Sequence, residues 1–289
     1  MLEVLAMSNN ELPLRVGIFL FDGADTTDYI GPYEVFSAVD YVSAKKPTMY
    51  QTARTLYNVF TVSETKKDLR AMAGGLIGGL VVRAEYDFND CPEIDILVIP
   101  GGAITEELLA NVNVISWLED QSKNAAITLS VCTGAVLLAK TGLLSGLSAT
   151  THHLAFDKLL AIEPTIMLKK DERFVDNGHI ITAAGVTAGY DAAMHIVYKT
   201  AGGNALLKAG EALEYGNAWK SIQRKLAGLP VHRTITNRCI KCGKCAKNCP
   251  FSAVVEGETQ FHIQVERCVG IGPCAGLCPV GAIESSFQL

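Results

Sequence analysis

The sequence predicts an α/β fold followed by a second, small cysteine-rich domain. Three observations carry this. Apolar β-branched runs alternate with helix-period segments over residues 14–217, the pattern of a parallel sheet covered by helices. The most apolar runs end in tight turns such as Pro100-Gly101-Gly102. Seven of the nine cysteines fall in the last 51 residues. At 289 residues there is room for one large domain with a sizeable core. The small module must rely on metal more than on burial.

Each element follows in order. Val16–Phe21 reads as the first strand, and Pro32 at a helix start opens an amphipathic segment through Val42. Val59–Val62 and Leu80–Arg83 are strand-like, and Ile94–Ile99 is a buried strand. Val114–Lys123 is helical. Ala126–Val131 is a buried strand that runs into Cys132-Thr133-Gly134 and a helix through Lys140. Asp176-Asn177-Gly178 is a hairpin turn between Arg173–Val175 and His179–Ala183. Ala188–Thr200 and Asn204–Tyr215 close the domain as helices. Residues 1–13 form an N-terminal extension, 218–233 a linker around Gly228-Leu229-Pro230, and 234–289 the small domain. Gly74, Gly75, Gly78 and Gly79 fit neither phosphate-binding pattern and read as turns between short strands.

Composition narrows the function classes. No run of 18 apolar residues occurs, so no membrane span is expected. Residues 1–13 carry Glu3 and Glu11 and no basic leader, unlike a signal peptide. Free thiols and metal-ligating cysteines point to a reducing cytoplasm. The net charge of −5 hides an asymmetry. Residues 217–254 hold no acid and carry Lys220, Arg224, Lys225, Arg233, Arg238, Lys241, Lys244 and Lys247, which is +8 against −13 elsewhere. That stretch suits an acidic redox partner, the acidic domain of the same chain, or the negative charge of clusters and thiolates; a merely solvated surface is the alternative. Nucleic acid is not expected, because the chain is acidic and the stretch lacks interleaved aromatics.

The cysteines are spaced Cys239-x2-Cys242-x2-Cys245-x3-Cys249-Pro250 and Cys268-x5-Cys274-x3-Cys278-Pro279. Such runs hold iron–sulfur clusters, with the fourth thiolate of each run crossing to the other cluster. The segment resembles a bacterial two-cluster ferredoxin, with one departure: Ile271 stands where that pattern has a cysteine. Crossing gives Cys239, Cys242, Cys245 and Cys278 for a 4Fe-4S cluster. It leaves Cys249, Cys268 and Cys274 for a 3Fe-4S cluster, or for no second cluster at all.

Cys132 sits between a strand and a helix, where a side chain projects from a strained turn above the sheet edge. Helix N-terminal N–H groups lower a thiol's pKa, so a thiolate is expected there. The plain alternative is a small buried hydrophobe, which is the reading for Cys91 before Pro92.

Here the chain resembles the ThiJ/PfpI superfamily, and within it the isonitrile-hydratase type. The resemblance rests on the segment Asp28 to Phe36, on Asp90-Cys91-Pro92 and on Ile99-Pro100-Gly101-Gly102. It continues through Ser130 to Ala135, Ala149-Thr150-Thr151-His152 and Gly185 to Asp191. It implies a flavodoxin-like sandwich, a homodimer, Cys132 as nucleophile, and Asp28 as a neighbouring acid. Asp28, beside a thiolate, should have a raised pKa because two negative charges repel. Thr133 matches the residue after the nucleophile, and the Thr133 backbone N–H and Gly102 match donors for a developing negative charge. His152 stands where relatives often have histidine, either in the site or as a packed structural residue. Glu34 matches a helix position and reads as surface or scaffold. Ile30 and His153 depart from the hydratase pattern.

Two functions follow. In one, Cys132 attacks an isonitrile and Asp28 supplies the proton, with water then releasing a formamide; a 2-oxoaldehyde is the sibling small-molecule substrate. In the other, the ferredoxin domain relays electrons and Cys132 is a redox-regulated site. A cluster that merely staples dimers is a third.

Overall fold

The structure, a computed structural model, describes residues 13–41, 56–215, 233–249, 252–265, 267–268 and 273–285. The N-terminal extension, most of the expected linker and Ile271 therefore lie outside the described residues. The chain forms two compact units, Met1–Thr200 and Ala201–Leu289.

In the first unit the elements run β1 (Leu14–Phe19), α1 (Thr26–Tyr41), β2 (Tyr57–Ser63), β3 (Leu69–Ala73), β4 (Leu76–Val82), β5 (Tyr86–Asp87) and β6 (Ile96–Ile99). There follow α2 (Glu106–Ala110), α3 (Val112–Asn124), β7 (Ile127–Val131), α4 (Gly134–Lys140), β8 (Ser148–Ala149) and α5 (Phe156–Ile162). Last come β9 (Met167–Leu168), β10 (Phe174–Asp176), β11 (Ile180–Ala183) and α6 (Ala188–Ala212), whose residues from 201 onward belong to the second unit. The main sheet has the order β10-β11-β7-β6-β1-β2-β5, parallel except for the edge pair β10/β11. Its inner strands are apolar on both faces because helices cover both. Val16, Ile18, Phe19, Leu97, Val98, Ile99, Leu129 and Val131 are all fully buried.

Taking the long parallel strands alone, β2-β1-β6-β7-β11 is the flavodoxin-like order, whose ligand crevice lies at the strands' carboxyl ends where the order reverses. Register puts Val16 beside Ile96, and Ile99 beside Ser130. The chain therefore leaves β1, β6 and β7 side by side.

Several boundaries differ from the sequence reading. The first helix starts at Thr26, not at Pro32. The Asp25 carboxylate accepts the Thr27 N–H at 3.1 Å, which satisfies a donor of the first turn. Pro32 then lies inside the helix, where it lacks the N–H that the Asp28 carbonyl would accept. Leu80–Arg83 is not a strand of the main sheet. It lies largely in β4, which pairs antiparallel with β3 as a separate hairpin. Gly74 and Gly75 make that hairpin's turn, with φ of 59° and 82°, but Gly78 and Gly79 lie inside β4. The two expected closing helices are both present, divided at Gly202, whose φ of 79° and ψ of −179° are not helical.

The second unit is built from β12 (Arg233–Ile235), α7 (Lys244–Lys247), β13 (Val254–Glu256), β14 (Phe261–Ile263) and β15 (Ile283–Ser285). β13 pairs with β14, and β12 with β15, both antiparallel. The two halves repeat in detail. Ala253 N–H donates to Cys249 Sγ at 3.2 Å, and Ala282 N–H donates to Cys278 Sγ at 3.2 Å. Ser252 and Gly281, at matching places, both have positive φ, 47° and 57°. Among the described residues, no helix is long and apolar enough to cross a membrane.

Close approach of β6 to α4 depends on Gly134, where a Cβ would stand 2.2 Å from the Ile99 carbonyl oxygen. Gly134→Ala is expected to cost roughly 1–3 kcal/mol, read as a lower urea midpoint for the α/β unit.

Candidate functional site

Three strand ends deliver the site. The loop after β1 carries Asp25 and the first turn of α1 carries Asp28, the loop after β6 carries Gly101 and Gly102, and the turn after β7 carries Cys132 and Thr133. Cys132 has φ of 56°, a left-handed conformation that few non-glycine residues hold without outside support. Support is present. Cys132 N–H donates to the carbonyls of Ala183 and Ala184 at 3.1 and 3.0 Å, and Thr151 Oγ1 donates to the Cys132 carbonyl at 2.6 Å. The turn is thus fixed on both sides, and the thiol is 7% exposed.

Asp28 is fully buried, and its Oδ2 accepts the Gly101 N–H at 3.1 Å. Its Oδ1 has no well-aligned hydrogen bond among the described residues. The Cys132 thiol lies close enough to perturb it, and so does the Val186 N–H. Burial, then the nearby Asp25 carboxylate, push Asp28 up to about 7. A raised Asp28 was expected from repulsion by a thiolate; here it comes instead from burial and from a second acid that the sequence reading missed.

The expected thiolate is not what the structure supports. Burial and the Asp28 carboxylate push the Cys132 thiol up to about 12, against the pull of the Thr133 and Val186 N–H groups. The helix behind it, α4, is only seven residues long, and its N-terminal field loses to desolvation. Cys132 and Asp28 therefore titrate as a coupled pair. From about 7 to about 12 they hold one proton between them.

Thr133 and Gly102 lock to each other. Gly102 N–H donates to Thr133 Oγ1 at 2.8 Å, and Thr133 Oγ1 donates to the Gly102 carbonyl at 3.0 Å. The Gly102 N–H is therefore committed to a hydroxyl and not free to meet a developing charge, whereas the Thr133 N–H acts on the Cys132 sulfur. Gly101 permits the contact, since a Cβ there would stand 2.5 Å from the Thr133 nitrogen and 2.9 Å from Asp28 Oδ2.

No hydrogen bond joins His152 to the thiol among the described residues. Its ring packs on Gly185, where a Cβ would lie 2.3 Å from His152 Cδ2, and lies tilted against His153 with ring centroids 4.3 Å apart. Its Nδ1 accepts the Leu154 N–H at 3.3 Å, and burial lowers its pKa, which leaves a neutral imidazole. This is the packed-histidine alternative. Thr151, Asp25 and Val186 escaped the sequence reading. The Thr150-Thr151-His152 run was the only signal for the first, and a backbone N–H such as that of Val186 leaves none. Glu34 is exposed, as expected for surface, and Ile30 is 36% exposed. Cys91 is half-buried in a loop, and burial raises its pKa to about 11.

The second unit gathers its thiols in two places. Cys239, Cys242, Cys245 and Cys278 line one small cavity, with Phe261 and Ile283 among its apolar walls. Cys249 and Cys268 both act electrostatically on the buried Cys274, which gathers the second set. Cys242 is exposed, while Cys245 and Cys274 are buried. Convergent thiols, amide N–H groups on Cys249 and Cys278 sulfur, and an apolar shell fit iron–sulfur clusters.

Comparison with known proteins agrees with both halves. The family model described as DJ-1/PfpI family matches residues 14–199, and the model described as 4Fe-4S dicluster domain matches 238–282. Isonitrile hydratase of Pseudomonas putida is 30% identical over 207 residues, 72% of this chain and 81% of that protein. Among solved structures, a ThiJ/PfpI family protein from Pseudomonas syringae superposes with a TM-score of 0.57 at 23% identity, covering 70% of this chain and 75% of that one. Drosophila melanogaster DJ-1beta gives a TM-score of 0.57 at 18% identity, covering 71% and 100%. These structures share the fold.

Asp28→Asn removes the anion that helps hold the Cys132 proton. Its expected effect is a lower Cys132 pKa, read by mass-spectrometric mapping of Cys132 alkylation against pH. An unchanged profile would mean that the carboxyl does not govern the thiol.

Proposed function

The chain belongs to the DJ-1/PfpI family and ends in a 4Fe-4S dicluster domain, and from that premise we propose that its Cys132 site hydrates isonitriles to N-substituted formamides. The observation that carries the reading is the buried Cys132–Asp28 pair, which holds a single proton above about pH 7. The 30% identity to an isonitrile hydratase supports it.

One shared proton suffices for the chemistry. With that proton on Asp28, the sulfur is a thiolate and bonds to the terminal isonitrile carbon. Asp28 gives the proton to the same carbon, leaving a thioimidate on Cys132. Asp28, now a carboxylate, draws a proton from water, whose oxygen adds to that carbon. The C–S bond breaks, the nitrogen is protonated and the formamide leaves. The sum is isonitrile plus water, with the pair returned to its single proton. Thr133 N–H and Val186 N–H stabilise the sulfur anion while it exists.

Hydration moves no net electrons, so the clusters serve a separate task. Cys239, Cys242, Cys245 and Cys278 would hold a 4Fe-4S cluster, and Cys249, Cys268 and Cys274 a 3Fe-4S cluster; such groups supply one-electron transfer. Exposed Cys242, flanked by exposed Lys244 and Lys247, suits the approach of an acidic redox partner. A sensor role for Cys132 gains no support, because the sulfur is buried away from oxidants in solution.

The test is anaerobic turnover of an aryl isonitrile with clusters oxidised and then dithionite-reduced. Equal formamide in both states is expected; none in either state would refute the hydratase reading, and production in one state only would refute the independence of the two units. Cys132→Ala is expected to lower turnover about a thousandfold or more, and Asp28→Asn roughly 10²–10⁴-fold. Below about 7 the pair carries two protons and the thiolate is unavailable, so kcat/KM should rise with pH through about 7 and then level. A rate that falls through that range would contradict the one-proton pair. Iron analysis should give close to seven irons per chain from the two ligand sets, and a value near four would remove the second cluster.

A further inference from the structure

Val186 has φ of 49°, a left-handed conformation that β-branched residues rarely adopt. Such strain persists only where the surroundings impose it, and it gathers at functional sites. The N–H of this residue acts on both the Cys132 sulfur and the Asp28 carboxyl. The turn around it is gripped from several sides. The Gly185 and Val186 carbonyls accept the Ala188 and Gly189 N–H groups, each at 3.1 Å, and so start α6. Gly185 packs against the His152 ring, and Gly189 sits so close to β7 that a Cβ there would stand 2.9 Å from Val131 Cγ1. Arg173, one residue before β10, makes the remaining contacts. Its carbonyl accepts the Ala184 N–H at 2.8 Å, its Nη2 donates to Thr187 Oγ1 at 3.1 Å, and its Nε donates to the Asp191 carboxylate. One arginine therefore holds the chain on both sides of Val186. Its side chain is 55% exposed, and an exposed ion pair adds little to stability, so the value of the clamp lies in where it puts the turn. Of the other titratable groups near the pair, Asp25 and His152, neither hydrogen-bonds Arg173 among the described residues.

We propose that Arg173 is a positioning residue for the Cys132–Asp28 pair: by clamping Thr187 and Asp191 it holds Val186 left-handed and keeps the Val186 N–H on the pair. Arg173 touches neither member of the pair and acts through the turn alone. When the clamp is released, Val186 can relax to negative φ, which swings its N–H away and leaves the negative charge of the pair with one donor fewer. Positioning of this kind is sensitive to small displacements, so a contact on the protein surface governs the reactivity of a buried sulfur. The proposal rests on the pair described under the proposed function, and its readout needs no isonitrile, so either can fail without the other.

The test follows iodoacetamide alkylation of Cys132 against pH, by peptide mass spectrometry, in the full chain as wild type, Arg173→Met and Thr187→Val. Each protein's urea midpoint is measured alongside. Arg173→Met removes the clamp together with its charge, whereas Thr187→Val removes one arm of the clamp and keeps the cation. The expected result is a profile moved to higher pH in both variants, with alkylation roughly three- to tenfold slower at a fixed pH on its rising limb. An unmoved profile in both would overturn the proposal. A shift in Arg173→Met alone would also overturn it, because the charge would then act through space and not through the turn. Faster alkylation with a lower urea midpoint would assign the clamp a merely structural role, since a loosened fold exposes the thiol while a lost N–H makes it less reactive.

Discussion

A single proton held between two buried acids is the constraint on which the large domain depends. Cys132 and Asp28 come from different strand ends and meet where little water reaches, the one 7% exposed and the other fully buried. Neither can ionise cheaply there, and both ionised together is the costliest state. The surroundings are arranged to hold one negative charge and no more. Gly101 N–H serves the carboxyl, while Thr133 N–H and Val186 N–H serve the sulfur. Asp25 adds a second negative field that keeps the proton in the site.

That arrangement sets demands on the backbone. The left-handed Cys132 is pinned by Ala183, Ala184 and Thr151, so β7, β11 and the segment after β8 must all be in place before the thiol is. Gly101 and Gly134 lack side chains because Thr133, Asp28 and the Ile99 carbonyl occupy the space. Parallel pairing of β1, β6 and β7 brings the three loops to one end of the sheet, as the reversal of strand order requires. The second unit solves a different problem. Its apolar core is small, with Cys245 and Cys274 themselves among its buried members, so the ligands are also the packing.

Much of this was legible in the residues. Buried β-branched runs located β6 and β7 to within two residues, because strands covered on both faces read as continuous apolar segments. Cysteine spacing marked the iron–sulfur module, which the 4Fe-4S dicluster family model matches over residues 238–282. The misreadings share a cause. The helix start at Thr26 was hidden because Pro32 is the louder signal, although Asp25-Thr26-Thr27-Asp28 is itself a helix-start run. The β3–β4 hairpin was misplaced because its glycines give little pattern to follow. The state of Cys132 depended on desolvation by residues distant in sequence, which local spacing does not record. The same holds for Gly102, whose N–H turned out to be bound by a hydroxyl 31 positions away.

The most direct measurement is to quench turnover of an aryl isonitrile with acid and weigh the peptide that contains Cys132. The account predicts a mass increase of one whole isonitrile on Cys132, the thioimidate left after the carbon has bonded to sulfur and taken the proton. Formamide production with no adduct at any quench time, and continued production by the Cys132→Ala protein, would contradict it: water would then attack the isonitrile directly, and the buried pair would hold its proton for some other purpose.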